Sequence, residues 1–221
     1  MNNMNTHNTP ILIVSMPRSG SSLLSHILFN EGVQVGDCKK GDEYNKYGYY
    51  ENIMIRNILI KYLNKHDVNN LKKKFQPINL LEDYKDFNRK VYRAIKKNGI
   101  VKNKPWLFKE PKIALCWNLF KKYYPDAKWV LLYRNKEQVL SSYNNAKFMD
   151  AYNTKEDWYN YMNVWDENMK SIKDECKNVF EFNIESIFEN KIDDINKLFD
   201  FIGITNTNKY IQCVDKKIFT T

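Results

Sequence analysis

The sequence predicts an α/β fold of three layers, in which helices cover both faces of a central, mainly parallel sheet. Three strand-like segments, at residues 11–14, 106–111 and 129–133, support this prediction, because each is followed, directly or after a short turn, by residues with helical spacing. The apolar runs at residues 11–14 and 129–133 are typical of parallel strands that are buried on both faces. Strands that alternate with helices along the chain indicate a parallel sheet with crossover helices.

The first strand and the helix after it enclose a polar turn at residues 15–22. Leu23, Leu24, Ile27 and Leu28 then recur at helical spacing. The start of a helix carries unpaired backbone N–H groups and the positive end of the helix dipole, so this turn is suited to an anion. One glycine allows close backbone approach, and one arginine can bind phosphate or sulfonate oxygens in a forked arrangement. The candidate anion ligands are Arg18, Ser19, Gly20, Ser21 and Ser22.

This turn differs from the phosphate loop of nucleotide triphosphatases, G-x-x-x-x-G-K-[ST]. In that alignment Ser15 takes the place of the first glycine and Ser21 the place of the lysine. The lysine that would reach the β- and γ-phosphates is therefore missing, and Arg18 lies inside the turn instead. A serine-rich cap on an ordinary helix, with Arg18 in solvent, is the structural alternative.

The loop at residues 38–50 precedes a helical pattern that begins at Ile53. Glu51 stands at the start of this helix, where a carboxylate interacts favourably with the helix dipole. A carboxylate next to the anion site could instead accept a proton from an attacking hydroxyl as a general base. Asp42 and Glu43, earlier in the loop, compete for that role. Residues 64–104 alternate polar segments with helical patterns and suggest a helical cover.

Two further strands end next to candidate site residues. Lys109 lies near the end of the second strand, before Pro111, which is predicted to begin a helix through Leu115 and Leu119. Arg134 directly follows the third strand, and Ser142 lies eight residues later on the next helix. Because ligands bind at the carboxyl ends of strands in open α/β sheets, all three could face the same crevice as the first turn. Surface positions for Lys109 and Ser142, and an ion pair for Arg134, are the alternatives.

Length and composition indicate one domain, residues 1–221. Residues 38–104 are expected to form a loop and helical cover over the site of the attacking hydroxyl, the acceptor site. Residues 1–9 are polar and lack the apolar core of a signal peptide, and no later segment is long enough to span a bilayer. We therefore expect a soluble, cytoplasmic protein with no membrane span. The sequence carries no indication of oligomeric state.

Four widely spaced cysteines and three histidines do not form a metal-binding pattern, so we expect reduced thiols and no metal. The net charge of +9 favours anionic ligands through the long-range field. The lysine runs at residues 72–74 and 96–97 are most simply solvated helix faces. No nucleic-acid-binding motif accompanies them, and no nucleic-acid partner is expected.

Several segments together resemble the sulfotransferase family, in its bacterial and carbohydrate-type branch. They are MPRSGSSLL at residues 16–24, FKEPK at 108–112, YPDAKWVLLYRN at 124–135, and NKYGYYE at 45–51. Residues 161–165, 179–187, 198–203 and 214–219 are similar to the closing helices, last strand and tail of that branch. The chain departs from the family pattern at Glu110, Lys136 and Gln138.

The resemblance implies a P-loop NTPase-like sulfotransferase fold and the donor 3′-phosphoadenosine 5′-phosphosulfate (PAPS), which leaves 3′-phosphoadenosine 5′-phosphate (PAP) as product. It implies that Arg134 and Ser142 hold the 3′-phosphate, while residues 19–22 hold the 5′-phosphate. Arg18 and Lys109 would stabilise charge during transfer. No histidine is placed to act as base, so Glu51 is the first choice for that role and Glu43 the second. No metal is required.

The implied acceptor is the hydroxyl or amine of a glycan or small molecule. Three alternatives remain open from the sequence. The first is a kinase or NTPase-like protein with a degenerate phosphate loop, which would bind ATP with magnesium. The second is a sulfotransferase-like protein that binds the nucleotide without activity. The third is a basic nucleic-acid-binding module, which would show steep salt dependence of affinity.

Overall fold

The structure is a computed structural model of the chain, and it describes residues 9–43, 45, 48–66, 86–101, 104–146, 149–205 and 207–208. Its centre is a sheet of four strands, in the spatial order β2-β1-β3-β4, with every neighbouring pair parallel. The strands are β1 (Pro10–Val14), β2 (Trp106–Lys109), β3 (Lys128–Tyr133) and β4 (Asn178–Asn183). The predicted mainly parallel sheet is thus confirmed.

The register of the sheet determines which loops meet. Ile13, the next-to-last residue of β1, pairs with Lys109 on one side and with Val130 on the other. The turn after β1 therefore starts beside the end of β2 and close to the end of β3. This places the three loops that carry the predicted site residues at one edge of the sheet.

Helices cover both faces of the sheet, as the sequence predicts. Leu12 and Val14 of β1 belong to one apolar core, which packs against α2 to α6, whereas Ile11 and Ile13 belong to a second core with α1, α7 and α8. The alternation of strand side chains thus divides one strand between two cores. The helices are α1 (Ser21–Asn30), α2 (Ile53–Lys65), α3 (Phe87–Lys97), α4 (Trp117–Tyr123), α5 (Lys136–Asn144), α6 (Lys155–Glu175), α7 (Glu185–Phe188) and α8 (Ile192–Ile202).

The segment after β2 differs from the prediction of one helix. Pro111–Leu115 is a 3-10 helix, and α4 begins only at Trp117. Between them Cys116 has φ −143° and ψ 32°, which lies outside the helical region and interrupts the helix. Glu110 caps the 3-10 helix, because its side chain accepts a hydrogen bond from the backbone N–H of Lys112.

Several residues that the sequence analysis names lie outside the part of the chain that the structure describes. The lysines at 72–74 and the tail at 214–219 lie outside the described residues, as does Cys213. Cys38, Cys116 and Cys176 are free thiols.

In the part of the chain that the structure describes, no helix combines the length and apolar character needed to cross a membrane. The same described residues contain no group of three or more His, Cys, Asp or Glu side chains placed to hold a metal ion.

Candidate functional site

The turn between β1 and α1 has an unusual backbone path. Arg18 has φ 65° and Gly20 has φ 85°, so two of its residues adopt the left-handed conformation. That conformation is uncommon for a residue with a side chain. A Cβ atom at Gly20 would lie 2.7 Å from Cγ1 of Ile184, just after β4. Only glycine fits here, and the turn packs closely against the end of the sheet.

The turn leaves polar groups available for an anion. No side chain caps α1, and the N–H groups of the first helical turn have no acceptor within a helix. The hydroxyl of Ser19 is fully buried and has no hydrogen-bond partner among the described residues. Buried polar groups normally have partners, so these donors fit an anionic group bound at the start of α1.

Arg18 connects the turn to the segment after β3. Its Nε donates a hydrogen bond of 2.9 Å to Oγ of Ser142, which lies on α5. Nη1 of Arg134 donates to the backbone oxygen of Arg18 at 3.1 Å. Tyr143, the residue after Ser142, donates to the backbone oxygen of Pro17 at 3.1 Å. The two halves of the predicted nucleotide site therefore meet in the structure.

The two arginines form a concentrated positive region. Burial lowers the pKa of Arg18 and of Arg134, and for Arg134 the neighbouring Arg18 lowers it further, although Glu185 acts in the opposite direction. Guanidinium groups stay protonated in proteins, so both remain cations at neutral pH. An anion bound between the two arginines would offset their mutual repulsion.

Lys109 lies at the junction of the turn, the loop at residues 38–50 and α2. Its Nζ donates to Oγ of Ser22 and to the backbone oxygen of Tyr49, both at 3.2 Å. It also forms an ion pair with Oε1 of Glu51 at 3.0 Å. Lys109 is only 3% exposed, and these three contacts replace the hydrogen bonds to water that its ammonium group loses on burial.

Glu51 does not act as a simple cap for α2. Asn52 caps that helix, because its side chain accepts from the backbone N–H of Ile55. The carboxylate of Glu51 contacts Lys109 through one oxygen and Nε of Arg56, at 3.1 Å, through the other. Burial alone would raise the pKa of Glu51, but the cations Lys109, Lys112 and Arg56 together lower it. Glu51 is therefore ionised at neutral pH and able to accept a proton.

The competing carboxylates of the loop are placed differently. Asp42 accepts hydrogen bonds from the hydroxyl of Tyr49 at 2.7 and 2.8 Å. Glu43 is exposed, and within the described residues it makes no ion pair or hydrogen bond with the cluster around Lys109. The geometry thus brings Glu51, and not Glu43, next to the turn after β1.

Three charged residues near Glu51 were missed by the sequence analysis. Arg56 also approaches Oε2 of Glu110, at 3.3 Å, and Lys112 pairs with Oε1 of Glu110 at 3.0 Å. Glu110 is completely buried. In the sequence, Arg56 falls among the apolar residues of α2 with no partner in view, and Glu110 is noticed only as a departure from the family pattern. Only the tertiary structure, in which Arg56 of α2 approaches the residue that follows β2, brings them together.

Comparisons with known proteins identify the family and the fold. The model of the sulfotransferase family matches residues 10–208. A search of curated protein sequences finds no match. Among solved structures, the sulfotransferase STF1 from Mycobacterium tuberculosis H37Rv is 14% identical with a TM-score of 0.56, and the match covers 97% of this chain and 71% of that one.

Two further solved structures are similar over nearly the whole chain. The sulfotransferase domain from the curacin biosynthetic pathway is 13% identical, with a TM-score of 0.63 and coverage of 98% of this chain and 81% of that one. The sulfotransferase domain from the Synechococcus PCC 7002 olefin synthase is 14% identical, with a TM-score of 0.62 and coverage of 99% and 82%. At these identities the similarity establishes the fold.

Proposed function

The chain belongs to the sulfotransferase family, and from this premise we propose that it transfers the sulfuryl group of PAPS to a hydroxyl or amine of a small molecule or glycan. The observation that carries the proposal is the double link of Arg18, to Ser142 through its side chain and to Arg134 through its backbone oxygen. Two separate turns thereby become one positively charged site, which suits a ligand with two phosphate groups.

In this proposal the backbone N–H groups of residues 19–22, with the hydroxyls of Ser21 and Ser22, hold the 5′-phosphate of the donor. Arg134 and Ser142 hold its 3′-phosphate. The buried hydroxyl of Ser19, which lacks a partner among the described residues, supports a polar ligand at the first of these positions. PAPS supplies an activated sulfuryl group that leaves a phosphate behind when it is transferred.

Arg18 and Lys109 have the charge and the position to stabilise negative charge during transfer. Lys109 already contacts Ser22, a proposed ligand of the 5′-phosphate, and Arg18 lies within the same turn. Fixed cations in a site shielded from water stabilise developing charge more strongly than solvent does. Glu51 would accept the proton of the attacking acceptor, because it is ionised and because its contact with Lys109, at 3.0 Å, holds it next to the proposed donor site.

Calorimetry with PAP, ADP and ATP, each with and without magnesium, tests the choice of donor. We expect PAP to bind at least about tenfold more tightly than ADP, because only PAP carries the 3′-phosphate, and we expect magnesium to make no difference. Arg134→Ala should bring the affinity for PAP down to that for ADP. Arg93→Ala, which removes an exposed cation of α3, is the matched control and should leave both affinities unchanged.

Other outcomes would identify the alternatives. Tighter binding of ATP that requires magnesium would contradict the proposal and favour a kinase or NTPase-like protein. Absence of binding to all three nucleotides, with salt-dependent binding to single-stranded RNA, would favour the nucleic-acid-binding module. Transfer of ³⁵S from labelled PAPS to a panel of a monosaccharide, an acidic oligosaccharide, a phenol and a primary amine then tests activity. Binding of PAP without transfer or release of ³⁵S would indicate an inactive nucleotide-binding protein.

A further inference from the structure

Five charged side chains next to the proposed site form a continuous series of opposite charges. Lys109 contacts Glu51 at 3.0 Å, Glu51 contacts Arg56 at 3.1 Å, Arg56 contacts Glu110 at 3.3 Å, and Glu110 contacts Lys112 at 3.0 Å. Lys109 is the last residue of β2, Glu110 caps the 3-10 helix that follows, and Lys112 lies in that helix. Arg56 lies in the first turn of α2, and Glu51 directly precedes the residue that caps α2. The series joins elements that are far apart in sequence.

Arg56 is the member that both carboxylates share. Its Nε lies near Oε2 of Glu51 and Oε2 of Glu110, yet among the described residues it is aligned for a hydrogen bond with neither. Glu110 is fully buried and Glu51 is 8% exposed, so both side chains lie where a charge without a nearby cation is costly. The single guanidinium therefore divides its attraction between two carboxylates.

We propose that Arg56 is a positioning residue for Glu51, and that Glu110 limits how strongly Arg56 holds it. The inference deepens the proposed function and rests on it, since Glu51 is the proposed base. Arg56 attracts the second oxygen of Glu51 across 3.1 Å, while Lys109 donates a hydrogen bond to the first, so each oxygen of the carboxylate faces a cation beside the turn after β1. Glu110 also attracts Arg56, which weakens the attraction between Arg56 and Glu51. The pKa of Glu51 is therefore lowered less than Arg56 alone would lower it, and Glu51 stays basic enough to take a proton.

The groups around Glu51 support this division of roles. Besides Arg56, the cations facing it are Lys109 from β2 and Lys112 from the 3-10 helix. From the loop, burial raises the pKa of the Cys38 thiol to about 12, with Asp37 and Glu51 adding to the effect. Burial and Asp42 raise the pKa of Tyr49. The thiol and the phenol are thus neutral at ordinary pH, and the groups that shift the pKa of Glu51 are the cations Lys109, Lys112 and Arg56, which act against burial.

The sign of each substitution follows from these charges. Arg56→Gln removes a cation at 3.1 Å, so the pKa of Glu51 should rise, by about one unit, at the low end of what a close opposite charge produces. Arg56→Lys keeps the charge without the planar fork, so the pKa of Glu51 should lie only slightly above its wild-type value. Glu110→Gln removes a competing carboxylate and should lower the pKa of Glu51.

Carboxyl ¹³C NMR of the full chain labelled at glutamate measures these shifts directly, with Glu51→Gln to assign the signal. Lys61→Gln is the matched control, because it removes an exposed cation from the same helix away from Glu51. We expect the order of pKa values for Glu51 to be Arg56→Gln above Arg56→Lys, then wild type and Lys61→Gln together, then Glu110→Gln. Equal pKa values in Arg56→Gln and Lys61→Gln would overturn the inference. Thermal melting checks that each variant is folded.

The pH dependence of sulfuryl transfer to the best acceptor of the panel provides the second measurement. For Arg56→Gln we expect the acidic limb of the pH profile of kcat to move to higher pH, by the same amount as the pKa of Glu51 measured by NMR. KM for PAPS should change less than about threefold. An unmoved limb despite a shifted carboxyl titration would overturn the role of Arg56 in positioning the base. If the wild type itself transfers no sulfuryl group, the proposed function fails, and the titration alone decides whether Arg56 controls Glu51.

Discussion

Arg18 and Ser142 are separated by 124 positions in the chain, yet Nε of Arg18 donates a hydrogen bond of 2.9 Å to Oγ of Ser142. The contact forms because β1 and β3 are adjacent and parallel, so that the turn after β1 and the helix after β3 begin at the same edge of the sheet. One side chain thereby connects the two turns that the proposed donor requires.

Ser142→Ala tests this connection. The change removes both the acceptor for Arg18 and a proposed ligand of the 3′-phosphate, so we expect the Kd for PAP to rise about tenfold, which corresponds to about 1.4 kcal/mol and to one hydrogen bond with a charged group. The Kd for ADP should change less than about twofold. Ser141→Ala, at the exposed neighbouring position, is the control, and equal effects of the two variants on PAP would contradict the prediction.

Glu51→Gln tests the base. The amide keeps the shape of the side chain but cannot accept the proton, so turnover should fall at least about a hundredfold, the lower range for general base catalysis. The Kd for PAP, measured by calorimetry, should change little. Glu43→Gln serves as the control, because its side chain is exposed on the loop before Glu51. An unchanged rate in Glu51→Gln across pH would assign the proton transfer to another group.

The lowered pKa of Glu51 also predicts how stability depends on pH. A carboxyl whose pKa is lower in the folded state stabilises the fold above its ordinary value of 4.5, and this contribution is lost as pH falls through the lowered pKa. The Tm of the wild type should therefore exceed that of Glu51→Gln by a constant amount at neutral pH. The difference should shrink at acidic pH, in thermal melts recorded across the range. A difference that grew on acidification would contradict the ion pairs of Glu51.

Gly20→Ala tests the shape of the turn after β1. Gly20 and Gly32 both have positive φ, but only at Gly20 would a Cβ meet a neighbour, Cγ1 of Ile184 at 2.7 Å. Gly32→Ala is therefore a control that carries the backbone strain alone, about 1–2 kcal/mol. We expect Gly20→Ala to lower the Tm by several degrees more than Gly32→Ala does and to weaken PAP binding as well. Equal losses of Tm would show that the contact with Ile184 does not restrict the turn.

Much of the fold was predictable because its signals are local. The apolar run of β1, the turn with Arg18 and Gly20, and the strands before Lys109 and Arg134 all lie where the sequence indicates them. The error after Pro111 has a local cause that the pattern could not reveal. Apolar spacing continued through Leu115 and Leu119, but Cys116 leaves the helical region and divides the segment in two.

The candidate site was only partly predictable. Arg18, Lys109 and Arg134 follow or end strands, and a parallel sheet brings strand ends together. The role proposed for Ser142, on the helix after β3, came from the resemblance to the family. Which carboxylate lies beside Lys109 depended on the path of the loop at residues 38–50, which no periodic pattern describes. The structure brings Glu51 into contact with Lys109 and leaves Glu43 exposed.

The sequence by itself determined the alternation of strands and helices along the chain and the polar turn after β1 that carries Arg18 and Gly20, because hydrophobic spacing and helix starts are properties of neighbouring residues. The tertiary structure decided that Arg56 lies between Glu51 and Glu110. Electrostatic interactions depend on distance in space and on burial, and neither quantity is encoded in sequence separation.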